Sequence, residues 1–270
     1  MKVVVFCGGL GTRIREYSES IPKPMIPVGS QPILWHVMQY YSHFGHRDFV
    51  LCLGYKASTI KEFFLGYRPH VFSDCAVSVR GAKVEVLGRP QDDWRVTLID
   101  TGIWRSIGER LWAVRDYVKD EEFFLANYSD GLTDVDLDAV IRRFKASDKV
   151  ACFLAVRPPL TYHLADVRED GTVRRFCSSE HSEIWINGGY FIFRKEIFDY
   201  LGEGEDLVLA PFSRLIAADK LMAFKHDGFW RSMDTMKDRQ ILEDMVEEGR
   251  MPWRLAERNL AAPEMLVATP

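Results

Sequence analysis

The sequence predicts an α/β fold in which a mostly parallel sheet is flanked by helices. Three observations predict it. Short runs of apolar β-formers alternate with stretches whose apolar residues recur at helical spacing. The first run is apolar at every position, as in a strand buried on both faces. The chain of 270 residues is 47% apolar and 27% charged, which suits a large packed core.

The elements follow in order. Val3–Phe6 reads as the first buried strand, and it stops at Gly8 and Gly9. Ile33, Leu34, Val37, Met38 and Tyr41 form a helical stripe, with Gly45 as its stop. Phe49–Leu53 is the next strand, and Ile60, Phe63 and Phe64 mark a short helix. The segment from Gly66 to Trp94 is either two short strands or a functional loop, because it is long for a connection. Val96–Ile99 reads as a strand. Leu111, Val114 and Val118 share one helical face. Phe123–Ala126 is a strand running into NYSDG. Leu137, Val140, Ile141 and Phe144 give a helix whose start DVDLD caps, and Val150–Val156 is a strand. In the second half, Glu169-Asp170-Gly171 turns a hairpin after Val167. Tyr190–Phe193 is a strand following Asn187-Gly188-Gly189. Leu207 to Ala218 and Thr235 to Glu248 read as helices. No linker separates the halves. The expectation is one Rossmann-like domain over 1–270, with a first part to about 150, a second part over 151–255 and a tail from 256.

Composition narrows the partners. With 35 basic and 39 acidic residues the formal net charge is −4, which argues against nucleic acid and anionic membrane. Lys2 leads straight into a short run that ends in glycines, unlike a signal peptide, and no window of ~20 apolar residues would span a bilayer. The five cysteines are widely spaced, lack any C-x-x-C and read as reduced thiols of a cytoplasmic protein.

The turn FCGGLGTRI raises the functional question. It is not a dinucleotide fingerprint, because the third glycine position falls on Ile14, and no G-K-[ST] follows to make a Walker loop. A tight packing turn is one reading. The other is a phosphate cradle, since Arg13 sets a guanidinium beside exposed backbone N–H groups. Lys23 follows between Pro22 and Pro24, which present one ammonium on a stiff backbone. Asp130 either shapes the turn after its strand or serves as a hard oxygen ligand; Asp234 either caps the helix at Thr235 or does the same. His43 and His46 read as surface residues, and His226 as a packing or supporting contact. Trp185 and Trp230 either stack on a sugar ring or belong to the core.

GGLGTR followed by KPM resembles the signature of the sugar-1-phosphate nucleotidyltransferases. VGSQPILWHVM, LCLGYK, VTLIDTG, NYSDG, WINGGYF and HDGFWRSMDT continue the likeness in order along almost the whole chain. They are most similar to the branch that contains glucose-1-phosphate cytidylyltransferase. The resemblance implies a nucleotidyltransferase fold of the GT-A-like kind, with a nucleotide-binding part to about 150 and a small sugar-binding β subregion and C-terminal part over 151–255. It implies transfer of a nucleotidyl group, best CTP, to a sugar 1-phosphate, best α-D-glucose 1-phosphate, giving CDP-glucose and pyrophosphate for bacterial polysaccharide or O-antigen synthesis. A UDP-, dTDP- or GDP-sugar, a heptose, or a nucleotide-sugar-binding protein with little turnover are the alternatives.

Residue by residue, Gly8, Gly9, Gly11 and Thr12 would wrap the nucleotide. Arg13 would hold its outer phosphates, and Lys23 would meet the reacting phosphate. Asp130 and Asp234 would carry Mg²⁺. Tyr128, Asn187 and Gly188 would face the sugar. Relatives assemble, so a homo-oligomer is implied. The chain departs from the pattern in four places. No lysine lies between Arg175 and Trp185, where the family has one on the sugar phosphate, which leaves Arg174 or Arg175 to supply that charge. The second residue of YSDG is Ser129 in place of glycine. The loop IWRSIGERL lacks the branch's threonine and paired glycines, and DLVLAPF lacks the acidic residues before its proline.

Overall fold

The computed structural model describes residues 1–14, 19–68, 74–80, 83–87, 93–159, 163–178 and 184–255. In chain order its strands are β1 (Lys2–Phe6), β2 (Pro27–Val28), β3 (Gln31–Pro32), β4 (Asp48–Leu53), β5 (Cys75–Ser78), β6 (Lys83–Val86), β7 (Arg95–Asp100), β8 (Phe123–Tyr128), β9 (Gly131–Thr133), β10 (Ala151–Val156), β11 (His163–Val167), β12 (Val173–Ser178), β13 (Ile186–Arg194), β14 (Leu221–His226) and β15 (Trp230–Ser232). The helices are α1 (Ile33–His43), α2 (Ala57–Leu65), α3 (Ile107–Ala113), α4 (Arg115–Val118), α5 (Leu137–Lys145), α6 (Ala210–Ala217) and α7 (Met236–Glu247). No helix of the described residues is long and apolar enough to cross a membrane.

Seven strands form the central sheet in the order β14-β10-β13-β8-β1-β4-β7. β13 runs antiparallel to β8 and β10, and the other pairings are parallel. The apolar run in β1 is explained by its central place. Val3 and Val5 face one cluster, shared with Ile33, Val37 and Tyr41 of α1. Val4 and Phe6 face the other, shared with Leu111, Val114 and Val118. Alternate residues thus serve opposite cores, so no position tolerates a polar side chain.

The structure redraws several sequence expectations. β13 starts at Ile186, so Asn187-Gly188-Gly189 lies inside the strand, where glycine propensity argues against it. Partners on both sides override propensity: Ala155 pairs with Asn187 across a register shift in β10, and Tyr190 pairs with Asn127. Gly189 has φ +77°, and a Cβ there would meet Tyr128 Cδ2 at 2.5 Å. The helix expected from Leu207 begins at Ala210, because Pro211 suits the first turn and not the interior. The stripe at 111–118 is two short helices meeting at Val114. β14 was not evident as a strand; it is an edge strand and carries no alternation. Parts of the stretch between Gly66 and Trp94 lie outside the described residues, and the described parts include the β5–β6 hairpin. His46 is half-buried, and burial chiefly pushes its pKa down to about 4.

Candidate active site

The parallel strands end together, since Phe6 pairs with Cys52 on one side and Tyr128 on the other. Loops leaving this edge enclose a cavity of about 730 Å³. This is where open α/β sheets offer ligand sites. Gly9, Gly11, Thr12 and Arg13 line it from the β1 loop, Lys23 from a 3₁₀ turn, and Asp130 from the end of β8. Asp234 arrives from far along the chain by two devices. β15 pairs with β9, and the Met233 N–H donates to the Asp130 carbonyl at 2.9 Å. Behind it, α7 is tied to the β2–β3 turn, where Gly29 N–H donates to Glu243 at 2.8 Å.

The charges converge. Lys23 Nζ donates to Asp130 Oδ2 at 2.5 Å and to Asp234 Oδ1 at 2.8 Å. Arg13 Nη1 donates to the same Asp234 oxygen at 3.1 Å, and Ser232 Oγ to Asp234 Oδ2 at 2.9 Å. Burial works against the Lys23 charge, but the two carboxylates outweigh it and hold its pKa above the ordinary value. Burial likewise opposes ionisation of Asp234, and Lys23, Ser232 and Arg13 outweigh it, so its pKa lies below the usual range. The helix-cap reading of Asp234 fails on geometry. Thr235 caps α7, in a capping box with Asp238, and leaves Asp234 turned into the cavity.

The glycine loop has a buried anchor that the sequence reading missed. Arg110, 2% exposed, donates through Nη1 to Leu53 O, Thr101 Oγ1 and Gly102 O, and through Nη2 to Gly8 O and Ile103 O, at 2.7–3.1 Å. It thereby ties the loops after β1, β4 and β7 to α3. Gly8 is outside the cavity lining, and a Cβ on it would land inside the Arg110 guanidinium. Its glycine character answers to the arginine. Gly11, by contrast, has φ +63° and lines the cavity. The signal for Arg110 was its place within the apolar stripe, three residues after Ile107 and four before Val114. Ile14, where a dinucleotide fingerprint needs its third glycine, is 1% exposed and fills the core.

Tyr128, Asn187, Gly188 and Trp230 also line the cavity. Asn187 Oδ1 accepts from Gly189 N–H at 2.9 Å, and its amide lies 3.5 Å from the Tyr128 hydroxyl. Burial chiefly raises the Tyr128 pKa, so the phenol stays neutral. Trp230 Nε1 donates to Gly188 O at 2.8 Å, which fixes the indole at the wall. Ser129 Oγ donates to Phe6 O at 3.0 Å, so its polarity is satisfied within the strand ends. Arg175 stands elsewhere: it faces Asp166 on the exposed β11–β12 hairpin and is not among the residues lining the cavity. His226 supports Asp134 at 2.9 Å, and Asp134 also accepts from the Phe229 N–H at 2.9 Å.

Two carboxylate oxygens already share one cation here, so their spacing suits a divalent ion. No group of three or more His, Cys, Asp or Glu side chains able to hold a metal is found among the described residues. A pair of hard oxygen donors fits Mg²⁺, which takes its remaining ligands from water and substrate phosphates. It does not fit a closed structural metal site.

The fold and this charged cavity define an α/β protein with a polar site at the ends of its parallel strands, and comparison with known proteins gives the family. Residues 2–238 match the nucleotidyl transferase family model. Over 256 residues, 94% of this chain and 99% of the relative, the sequence is 41% identical to glucose-1-phosphate cytidylyltransferase of Salmonella typhimurium. It is 34% identical over 257 residues to a probable glucose-1-phosphate cytidylyltransferase of Bacillus subtilis, covering 94% of this chain and all of that protein. The crystal structure of HddC from Yersinia pseudotuberculosis superposes with a TM-score of 0.64 at 20% identity, covering 91% and 99% of the two chains, a likeness of fold. The chain belongs to the nucleotidyl transferase family.

Proposed function

We propose that this protein transfers the cytidylyl group of CTP to α-D-glucose 1-phosphate, releasing pyrophosphate and CDP-glucose in the cytoplasm. The observation that carries the class of reaction is the Lys23 ammonium held between Asp130 and Asp234 on the cavity wall, with Arg13 beside it. The similarity to the Salmonella protein supports the choice of base and sugar.

The chemistry asks for what the site offers. The nucleophile is a phosphate monoester whose second pKa is near ~6, so it is already mostly dianionic at neutral pH and needs no general base. The barrier lies in bringing anions together and in charge moving onto the leaving pyrophosphate. Lys23 would bind the reacting α-phosphate, and Arg13 the outer phosphates. Gly9 and Gly11 let the backbone approach the nucleotide, and Arg110 holds that loop rigid from behind. Asn187 and Gly188 would orient the sugar against Trp230. Asp130 and Asp234 would hold Mg²⁺, which when bound neutralises phosphate charge.

Lys23→Ala tests the reading. Turnover with CTP and glucose 1-phosphate should fall ~10²-fold or more if the ammonium stabilises transition-state charge. A rate within a few-fold of the parent protein sinks the role.

A further inference from the structure

Among the described residues, the Asp234 carboxylate has two kinds of side-chain partner. Oδ1 accepts from Lys23 Nζ at 2.8 Å and from Arg13 Nη1 at 3.1 Å. Oδ2 accepts from Ser232 Oγ at 2.9 Å. The first two partners are cations, and Arg13 is 75% exposed, so water screens its pairing. These two cations are also the groups that would turn to phosphate in the proposed reaction. A cation that binds phosphate loosens its hold on the carboxylate. Ser232 is then the partner that remains.

Local structure makes this hydroxyl a fixed reference. Ser232 is the last residue of β15 and pairs with Gly131 of β9, the residue after Asp130. The Met233 N–H donates to the Asp130 carbonyl at 2.9 Å. The serine is thereby tied to the backbone that carries Asp130, whereas Asp234 lies past the end of the strand pairing. The neighbouring hydroxyl is engaged elsewhere: Thr235 Oγ1 donates to Asp238 Oδ2 at 2.7 Å and accepts from the Asp238 N–H at 3.2 Å. Ser232 and Asp234 both line the cavity. A donor on one carboxylate oxygen fixes the side-chain rotamer. The other oxygen is left aimed at the point on which Asp130 Oδ2 also converges. Carboxylates that hold a metal rely on such tethers for their orientation.

We propose that Ser232 is a positioning residue for Asp234: by holding Oδ2 it keeps Oδ1 turned to the point shared with Asp130, ready for Mg²⁺ when Lys23 and Arg13 turn to the phosphates. The inference rests on the reading of Asp130 and Asp234 as the Mg²⁺ carboxylates of a nucleotidyltransferase.

The test is calorimetric binding of CTP without glucose 1-phosphate, so that no transfer occurs, once with Mg²⁺ and once with EDTA. The proteins are the parent, Ser232→Ala, Ser232→Thr, Asp234→Ala and the double alanine variant. Ser232→Ala should weaken CTP about ten-fold in Mg²⁺, as for loss of a hydrogen bond behind a metal-holding carboxylate. In EDTA it should stay within about two-fold of the parent. Ser232→Thr keeps the hydroxyl on a side chain suited to a strand and should bind like the parent in both buffers. In the Asp234→Ala background, Ser232→Ala should cost nothing further. Ser232→Cys, a weak donor, should behave like the alanine variant and serves if that variant fails to fold. Unchanged affinity of Ser232→Ala in Mg²⁺ overturns the proposal. So does equal loss in both buffers, a threonine variant as weak as alanine, or a full further loss on top of Asp234→Ala. A parent protein that binds no CTP, or whose CTP binding ignores Mg²⁺, sinks the reading beneath the proposal and the proposal with it, and the parent alone reveals that outcome.

Discussion

Arg110 and Gly8 should be energetically coupled, and a double-mutant cycle can measure the coupling. Arg110→Met keeps the aliphatic bulk and removes five donated hydrogen bonds, leaving the carbonyls of Gly8, Leu53, Gly102 and Ile103 and the Thr101 hydroxyl without that donor. A buried polar group left unsatisfied costs ~1–3 kcal/mol, but losses within one network do not add fully, so we expect about 4 kcal/mol. Gly8→Ala drives a methyl into the guanidinium. The arginine cannot retreat without giving up its partners, which places the overpacking cost near the upper end, about 3 kcal/mol. With Met at 110 the obstacle is gone. The double variant should then lose about 4 kcal/mol, not the roughly 7 kcal/mol of independent effects. Urea unfolding at pH 7, followed by far-UV circular dichroism with a check that m is unchanged, gives all four corners. Additivity within ~0.5 kcal/mol would refute the view that Gly8 is glycine because Arg110 occupies its Cβ position.

Other perturbations reach the charges and the core. Asp130→Asn and Asp234→Asn should each cut turnover ~10²-fold while leaving the fold intact, because each removes a carboxylate from the shared cation site. EDTA should abolish pyrophosphate release and added Mg²⁺ restore it; turnover that ignores chelation would eliminate the two-aspartate arrangement. His36 is 2% exposed, bonds the Val28 carbonyl at 2.9 Å and has a pKa lowered to about 4, mainly by burial. The unfolded chain takes up that proton near pH ~6.5, so stability is full above that value and is lost as pH falls toward 4. Between pH 7 and 5 the loss is about 2 kcal/mol from this one residue. His36→Gln should remove about half of the histidine-borne fall in the urea midpoint across that range, since His46 has the same lowered pKa, and an unaltered slope would show that the His36 imidazole is not held neutral.

Much of the sheet was legible because its strands are buried on both faces, and two-sided burial leaves an unbroken apolar signature such as Val3–Phe6. β14 and the start of β13 were not, since an edge strand and a glycine pair obey their partners rather than their own propensities. Asp130 and Lys23 could be singled out from strand-end and proline context. That they touch is a tertiary fact, and β15 on β9 with the Met233–Asp130 hydrogen bond brings Asp234 to the same ammonium. Asp234 was ambiguous in sequence because a residue before a helix has two employments, and only the Thr235 capping box decides between them. Arg110 was hidden by its charge: an arginine within an apolar stripe is usually assigned to the solvent edge, yet here the carbonyls of three loops solvate it.

The measurement closest to the central claim is pyrophosphate release with Mg²⁺ and glucose 1-phosphate, run in parallel against CTP, UTP, dTTP, GTP and ATP. The account predicts release with CTP far above the other four. Release with a different nucleotide alone would contradict the assigned base. Silence with all five, together with no calorimetric binding of CTP or CDP-glucose, would contradict the assigned reaction.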